Sequence, residues 1–551
     1  QFGFRKIEAR ENGFFINNRP TYLRGTHFGG EFPLTGYPAT KIEDWKRIFE
    51  ICKRWGINFM RFHSYCPPKA AFLAADKVGF YLQIECGMWN CFSEEKTEEL
   101  SMQEILYEET KRILAAFGNH PSFVLFSPSN EPAGEWWNPL RGWVEFFRSL
   151  DNRRLYTIQS GWPYPVEPKQ ITGTDYVYFH RSGFGPYRGG TIRNQSGWFG
   201  GDYAPSLEGI RYPVICHELG QWCSYPDFSI IEKFTGYMQP SQYKVFYAQA
   251  KKKGVLLQNK EFVYHSGRFQ VAMYKEDLEA NFRTPHIYGF ELLDLHDYLG
   301  QGGAFIGVLD AFWEEKGYIQ PEEFRTFCNE TVLLLRMKKY LFTTKEQLKA
   351  DAEIAHFGKE KKQETVVKWR LWKEEYLIKE EVLCKKEIPL GKNIPLGTIQ
   401  ISLADLDVPA HYKIELLLEE KEPLQNSWDF WLYQPIESFV VPKEDNIFCF
   451  TDVRKAKKAL RQGKTVLLSP PSYAFSYWCP PLNPKPVFWN SQMGPRWDRG
   501  LGMICDPNHP AFAEFPTKSY EQWQWARIIE GARGIPFAQI HPDLKPLVQV
   551  I

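Results

Sequence analysis

From residue 20 to about residue 320, short runs of apolar, β-type residues alternate with stretches whose apolar positions recur at helical spacing. Eight such runs stand out, at residues 22–26, 59–63, 81–85, 124–127, 156–159, 176–179, 214–216 and 287–291. Short apolar runs of this kind suit parallel strands buried on both faces. Between them, residues 41–55 place Trp45, Ile48, Phe49 and Cys52 on one helical face. Residues 101–117 open with Ser101 and Glu104 in the pattern of a capping box. Eight strands joined by crossover helices predict an α/β fold closed into a TIM (β/α)8 barrel.

The texture then changes. Residues 314–362 are charged and read as helix-prone, and residues 366–436 alternate β-type with polar positions, as in 398–402 and 412–418, the pattern of a small antiparallel sandwich. From residue 446 a strand (448–450), a helical pattern (453–462) and a second strand (465–468) give a small α/β module. The expected organisation is a barrel over 21–345, a β-sandwich over 346–440 and an α/β accessory module over 441–551. The chain begins at Gln1 and ends in the apolar run 546–551, so both ends read as cut and the last module as truncated.

Composition narrows the partners. The 551 residues carry 67 basic and 66 acidic side chains, a formal charge of +1, with no sustained basic face. Nucleic acid and membrane are therefore not expected as partners, and no apolar run approaches the roughly 18 residues of a spanning helix. Oligomeric state is left open. Several tryptophans fall in loop-like segments (Trp136, Trp137, Trp162, Trp198, Trp222), where flat amphipathic rings suit the faces of sugars. The eleven cysteines are scattered, and Cys86 and Cys91 lack the companion spacing of a zinc site.

The candidate chemistry lies in two glutamates. Glu131 closes the segment 126–131 and Glu218 closes 212–218; each stands where an apolar run gives way to a loop. Active sites of such barrels form at the C-terminal ends of strands, so the two carboxylates can face one pocket. A carboxyl pair across a sugar is the apparatus of glycoside hydrolysis, one protonating the leaving oxygen and one stabilising or attacking the anomeric carbon. The neighbouring His217-Glu218 invites a zinc reading, but His-Glu-x-x-His would need histidine where Gln221 stands. Neither a phosphate-cradling Gly-Lys-Ser/Thr loop nor a dinucleotide Gly-x-Gly-x-x-Gly motif occurs in its required setting. No cofactor and no metal are expected.

These residues resemble glycoside hydrolase family 2, the β-galactosidases, β-glucuronidases and β-mannosidases. The stretches 2–8 and 14–25 resemble that family's junction between an immunoglobulin-like domain and its barrel. Residues 1–20 are accordingly expected to end such an upstream domain and its linker, with the family's N-terminal domains missing. Asn58-Phe59-Met60-Arg61-Phe62-His63 is similar to the second-strand motif, Asn130-Glu131 to the acid/base motif, and 300–310 to the stretch after the eighth strand.

The resemblance implies a retaining exo-β-glycosidase with Glu131 as acid/base and Glu218 as nucleophile, their carboxyls about 5–5.5 Å apart. It implies that Asn130 reaches the 2-hydroxyl and that Arg61 and His63 meet the sugar; His27 and His180, at or near expected strand ends, and Trp222, in a loop-like segment, are further candidates to bind substrate, the cations also keeping Glu218 ionised. A carbohydrate partner follows, with a terminal β-galactoside favoured; a β-uronidase, a β-mannosidase and a non-catalytic carbohydrate-binding protein are the alternatives. The family's Asn-x-Lys carboxylate-recognition motif is not found, and Asp294-Leu295-His296-Asp297 stands nearby instead. Arg61, Arg181 and Arg188 are the candidates for a uronate clamp. Periplasmic or secreted localisation is favoured by the substrate class alone.

Overall fold

A computed structural model describes residues 3–89, 96–97, 100–161, 166–180, 200–436, 447–475, 479–482, 500–536 and 545–551. Eight parallel strands form one curled sheet: β1 (Leu23–Phe28), β2 (Phe59–Phe62), β3 (Tyr81–Trp89), β4 (Phe123–Asn130), β5 (Leu155–Tyr156), β6 (Val177–His180), β7 (Val214–Leu219) and β8 (Ile287–Leu292). Their lateral order is β5-β4-β3-β2-β1-β8-β7-β6, which wraps round to a seam between β5 and β6. There the amide of Asp175 donates to Tyr156 O at 2.9 Å and the Thr157 hydroxyl to Tyr176 O at 3.1 Å. The fold is a TIM (β/α)8 barrel.

The helical spacing translates directly into burial. Helix α1 (Ile42–Arg54) buries Trp45, Ile48, Phe49 and Cys52 against the sheet, and α3 (Met102–Phe117) follows α2 (Lys69–Val78). The Ser101 capping box is formed: the Ser101 hydroxyl accepts from the Glu104 amide and the Glu104 carboxylate accepts from the Ser101 amide. Below the strands, a three-stranded meander (Ile7–Arg10, Gly13–Ile16, Arg19–Thr21) inserts Ile7, Phe14 and Ile16 among Leu23, Phe59, Leu125 and Tyr176, plugging the barrel floor. Room for this packing is made at Gly25, where a Cβ would stand 2.1 Å from the Phe59 ring.

Two sequence expectations are corrected. Residues 314–362 are not predominantly helical, for they hold the strands Thr331–Met337, Leu341–Thr343 and Gln347–His356. Leu348, Ala350, Ala352 and Ile354 point inward between charged neighbours, and this period-two burial outweighs the helix propensity of the Lys and Glu beside them. The fifth barrel strand is shorter than 156–159. Beyond Tyr156, Thr157 turns its hydroxyl to backbone carbonyls, so the chain leaves the ladder early.

After the barrel come a three-stranded sheet (Thr331–Met337, Gln347–His356, Gly391–Ser402) and a five-stranded sheet containing Lys362–Lys373, Ala410–Leu418 and Leu424–Tyr433. Farther on, Ile447–Phe450 and Thr465–Leu468 pair in parallel across the helix Val453–Arg461. No helix among the described residues is long and apolar enough to cross a membrane.

The barrel and the following sheets are joined by a buried ionic hub on the long helix α4 (Asn259–Arg283). Glu279, fully buried, accepts from Lys275, from Arg283 Nη1 (3.1 Å), and from Asn426 Nδ2 and the Trp428 indole across the junction (2.8 Å each). Removing one partner of a buried ion pair leaves an uncompensated charge, which costs far more than an exposed pair is worth. Glu279→Ala is expected to destabilise the protein by about 3–5 kcal/mol, measured as a lower denaturant midpoint, with the isosteric Glu279→Gln losing less.

Candidate active site

The site is built on strand ends around Arg61. This side chain is fully buried on β2, and its three nitrogens make five hydrogen bonds. Nε meets Glu85 Oε1 at 2.7 Å and Nη2 meets Glu85 Oε2 at 3.3 Å; Nη1 meets Glu291 Oε1 at 3.0 Å and Glu218 Oε1 at 3.4 Å; Nη2 also meets Asn130 Oδ1 at 2.5 Å. Four strands, β3, β4, β7 and β8, are thus tied to one cation. Glu85 and Glu291 are wholly enclosed, while the Glu218 side chain keeps 12% exposure, so of the three carboxylates Glu218 faces the pocket.

One guanidinium cannot neutralise three carboxylates. Burial pushes Glu291 well above the ordinary range, with Glu218 and Glu85 adding to the effect and Arg61 opposing it. Burial alone would lower Arg61, but Glu85, Glu291 and Glu218 together raise it well above its ordinary value, so it stays charged. The Glu291 carboxyl accepts the Glu218 backbone N–H at 2.8 Å, which fixes the turn at Glu218, where φ is +46°.

Glu131 also has positive φ, +39°, and its amide donates to Ser160 O at 2.8 Å. A carboxylate oxygen of Glu131, a nitrogen of His217 and a carboxylate oxygen of Glu218 lie within 4.8 Å of one another. The two glutamates therefore share one pocket, with one carboxylate oxygen of each within 4.8 Å of the other. His217 Nε2 donates to Asn130 Oδ1 at 3.2 Å. With that oxygen taken by both His217 and Arg61, the Asn130 amide orientation is fixed and its NH2 is left to donate into the pocket.

On the opposite wall, His27 Nδ1 meets Asp294 Oδ2 at 3.1 Å, and the Thr26 hydroxyl (2.6 Å) and the Leu295 amide (2.8 Å) donate to Asp294 Oδ1. Burial would raise Asp294, but His296 and His27 outweigh it and bring it down to about 2. His296 moves the other way: burial lowers it, Asp294 raises it further, and the net shift is upward. His63, half-buried, sets its ring edge-to-face with His27 (5.0 Å) and Trp89 (5.1 Å). Burial, then Arg61 and His27, hold it well below the usual histidine range, so it is a neutral imidazole.

Of the residues expected from sequence, Glu131, Glu218, Asn130, Arg61, His63 and His27 converge here. Arg61 is enclosed and committed to protein acceptors, which suits holding Glu218 in place rather than touching a hydroxyl. Trp222 is corrected: its ring is 1% exposed within the core and its indole donates to Asp277 on α4 at 2.7 Å, leaving no face for a sugar. Trp89, at 41% exposure, is the open ring beside the site. The His180 side chain, Trp162, Trp198, Arg181 and Arg188 lie outside the described residues. Sequence reasoning missed Glu85, Glu291, His217 and Asp294 as site residues. Glu85 and Glu291 end two of the expected strands, so strand-end placement, the criterion that found Glu131 and Glu218, also marks them.

Part of the barrel is similar to known proteins. The model described as the TIM barrel domain of glycosyl hydrolases family 2 matches residues 7–183. Residues 7–183 thus match the barrel domain of glycoside hydrolase family 2. Two further models, both described as domains of unknown function, match residues 346–434 and 448–551. A β-galactosidase of Staphylococcus xylosus is 26% identical over 164 residues, covering 28% of this chain and 16% of the relative. A putative β-glucuronidase of Formosa agariphila is 28% identical over 224 residues, 39% of this chain and 25% of the relative. The matched part thus spans a quarter or less of these relatives. A solved β-D-mannosidase of Dictyoglomus thermophilum shares the fold, with TM-score 0.54, 17% identity, and coverage of 79% of this chain and 54% of that one.

The site geometry sets two expected outcomes. At Gly161, φ is +102° and a Cβ would stand 2.7 Å from Glu131 Cγ and 2.8 Å from His217 Cε1. Gly161→Ala is expected to displace both and lower kcat about 10²-fold, the scale of a 1 Å misplacement, while the circular dichroism stays native.

The second concerns Asp294, lowered from 3.8 to about 2, and His296, raised above 6.5. The Asp294 contribution is present above pH 3.8 and lost as pH falls toward 2; the His296 contribution is full below pH 6.5 and lost as pH rises through its raised value. The Tm gap between wild type and Asp294→Asn should be widest between those limits and narrow on either side; a gap independent of pH refutes the coupling.

Proposed function

We propose that this chain carries the catalytic barrel of a retaining exo-β-glycosidase, with Glu131 the acid/base and Glu218 the nucleophile. The observation that carries the reading is the approach of the Glu131 and Glu218 carboxylate oxygens to within 4.8 Å in a pocket where Arg61 faces Glu218. Glu218 attacks the anomeric carbon while Glu131 protonates the leaving oxygen, giving a covalent glycosyl-enzyme. Glu131, then a carboxylate, takes a proton from water as that water displaces Glu218. The Asn130 amide donates to the 2-hydroxyl, a contact that strengthens as the oxocarbenium character grows.

The favoured substrate is a neutral terminal sugar, β-galactose first. In support, Arg61, the one candidate uronate clamp within the described residues, spends its N–H groups on Glu85, Glu291, Glu218 and Asn130. The remaining donors, the Asn130 amide and the His63 imidazole, suit hydroxyls, and Trp89 offers an apolar platform.

Glu218→Ala is expected to abolish turnover, with azide restoring no retained product. Glu131→Ala should slow substrates with poor leaving groups by about 10²–10⁴-fold and activated aryl glycosides far less. Equal losses on both substrate types void the assignment. A panel of aryl glycosides tests the sugar: preference for a β-glucuronide or β-galacturonide overturns the neutral-sugar reading, and no turnover of any glycoside favours a carbohydrate-binding protein.

A further inference from the structure

Glu218 takes part in a second arrangement that glycoside hydrolysis does not require. A ring nitrogen of His27, a ring nitrogen of His63 and a carboxylate oxygen of Glu218 lie within 4.8 Å of one another. Two imidazoles and a carboxylate form the donor set of three-ligand zinc sites, in which a fourth position stays open to water.

The surroundings of His27 point the same way. Its Nδ1 faces Asp294 Oδ2 at 3.1 Å and so carries the ring proton, which leaves the Nε2 lone pair to bind. Asp294 is itself held by Thr26 and Leu295. A carboxylate behind a histidine fixes the tautomer and raises basicity, the usual support of a metal-bound imidazole. Bonds of about 2.0–2.1 Å require the three atoms to draw closer than they stand. Of the three, His63 and Glu218, its side chain 12% exposed, are the two that keep contact with the open pocket.

The pocket offers a rival set, Glu131, His217 and Glu218, equally compact. Its histidine is less suited, because the nitrogen facing Glu218 at 3.5 Å, Nε2, is the one that donates to Asn130.

We propose that His27, His63 and Glu218 form a binding site for a zinc-class dication, and that the bound ion, by taking a Glu218 oxygen, holds the barrel in a blocked state. The site stands on geometry alone; the block rests on Glu218 being the nucleophile.

The test uses the full chain freed of metal with a chelator. Cobalt(II) is followed by its visible absorption and zinc by calorimetry, and folding of each variant is checked by metal-free circular dichroism. One ion per chain is expected, with a tetrahedral cobalt spectrum that His27→Gln and His63→Gln each abolish. Asp294→Asn should weaken binding about 10–100-fold, and His217→Gln should leave it unchanged. His63→Gln decides the matter if His27→Gln does not fold.

The site is overturned if no stoichiometric binding occurs, if binding survives His63→Gln, or if His217→Gln removes it. The spectrum is read without substrate, so a failed glycosidase assignment leaves that result standing. Zinc that binds stoichiometrically yet leaves aryl-glycoside turnover unchanged overturns the blocked state.

Discussion

The site depends on one buried guanidinium. Arg61 is enclosed, yet it joins Glu85, Asn130, Glu218 and Glu291 from four strands of the barrel. Burying several charges is tolerated only when each is paired and hydrogen-bonded, and here the stoichiometry is unequal: one cation to three carboxylates. Burial meets part of the imbalance by pushing Glu291 well above the ordinary carboxylate range, which favours its neutral form. Exposure then separates those two. Glu85 is sealed beneath the pocket, where it also accepts from Gln83 Nε2 at 3.3 Å, and Glu218 alone reaches outward.

That arrangement explains why strained backbone is placed where it is. Glu131 and Glu218 both sit at positive φ, a conformation that costs a non-glycine residue of the order of 1–3 kcal/mol. Each is held there by a hydrogen bond from its own amide, Glu131 to Ser160 O and Glu218 to Glu291 Oε1. The strain turns each carboxylate out of the strand direction toward the other, and the barrel beneath supplies the stability to hold it. Gly161, at φ +102°, lets the chain pass close to both Glu131 and His217, a packing that no side chain there would permit.

Much of this was legible in the sequence because barrel strands are short, apolar and spaced by helices with a clear 3.6-residue period. Glu131 and Glu218 were visible because each ends such a run. The apolar signal stops at the first polar residues, so β4 and β7 run past their expected ends, and the added residues, among them Asn130, His217 and Glu218, meet at the site. Glu85 and Glu291 ended expected strands, but no local pattern says that two carboxylates 206 positions apart share one arginine. Such a grouping exists only once the sheet has curled. Trp222 illustrates the converse error: loop-like context suggested an open ring, whereas tertiary packing against α4 encloses it.

The same economy of charge bears on substrate choice. A uronic acid would bring another carboxylate into a pocket that already holds Glu131 and Glu218, and its entry would need a cation not already committed. Arg61 is committed, and His27 is engaged by Asp294. What the described pocket offers instead is the amide of Asn130, the neutral imidazole of His63 and the open ring of Trp89. Neutral donors discriminate among hydroxyl configurations without paying for desolvation of a charge. On the proposed glycosidase reading, a neutral terminal hexose is the ligand whose hydroxyls these described groups would meet, and the charge already gathered around Glu218 would weigh against a charged sugar.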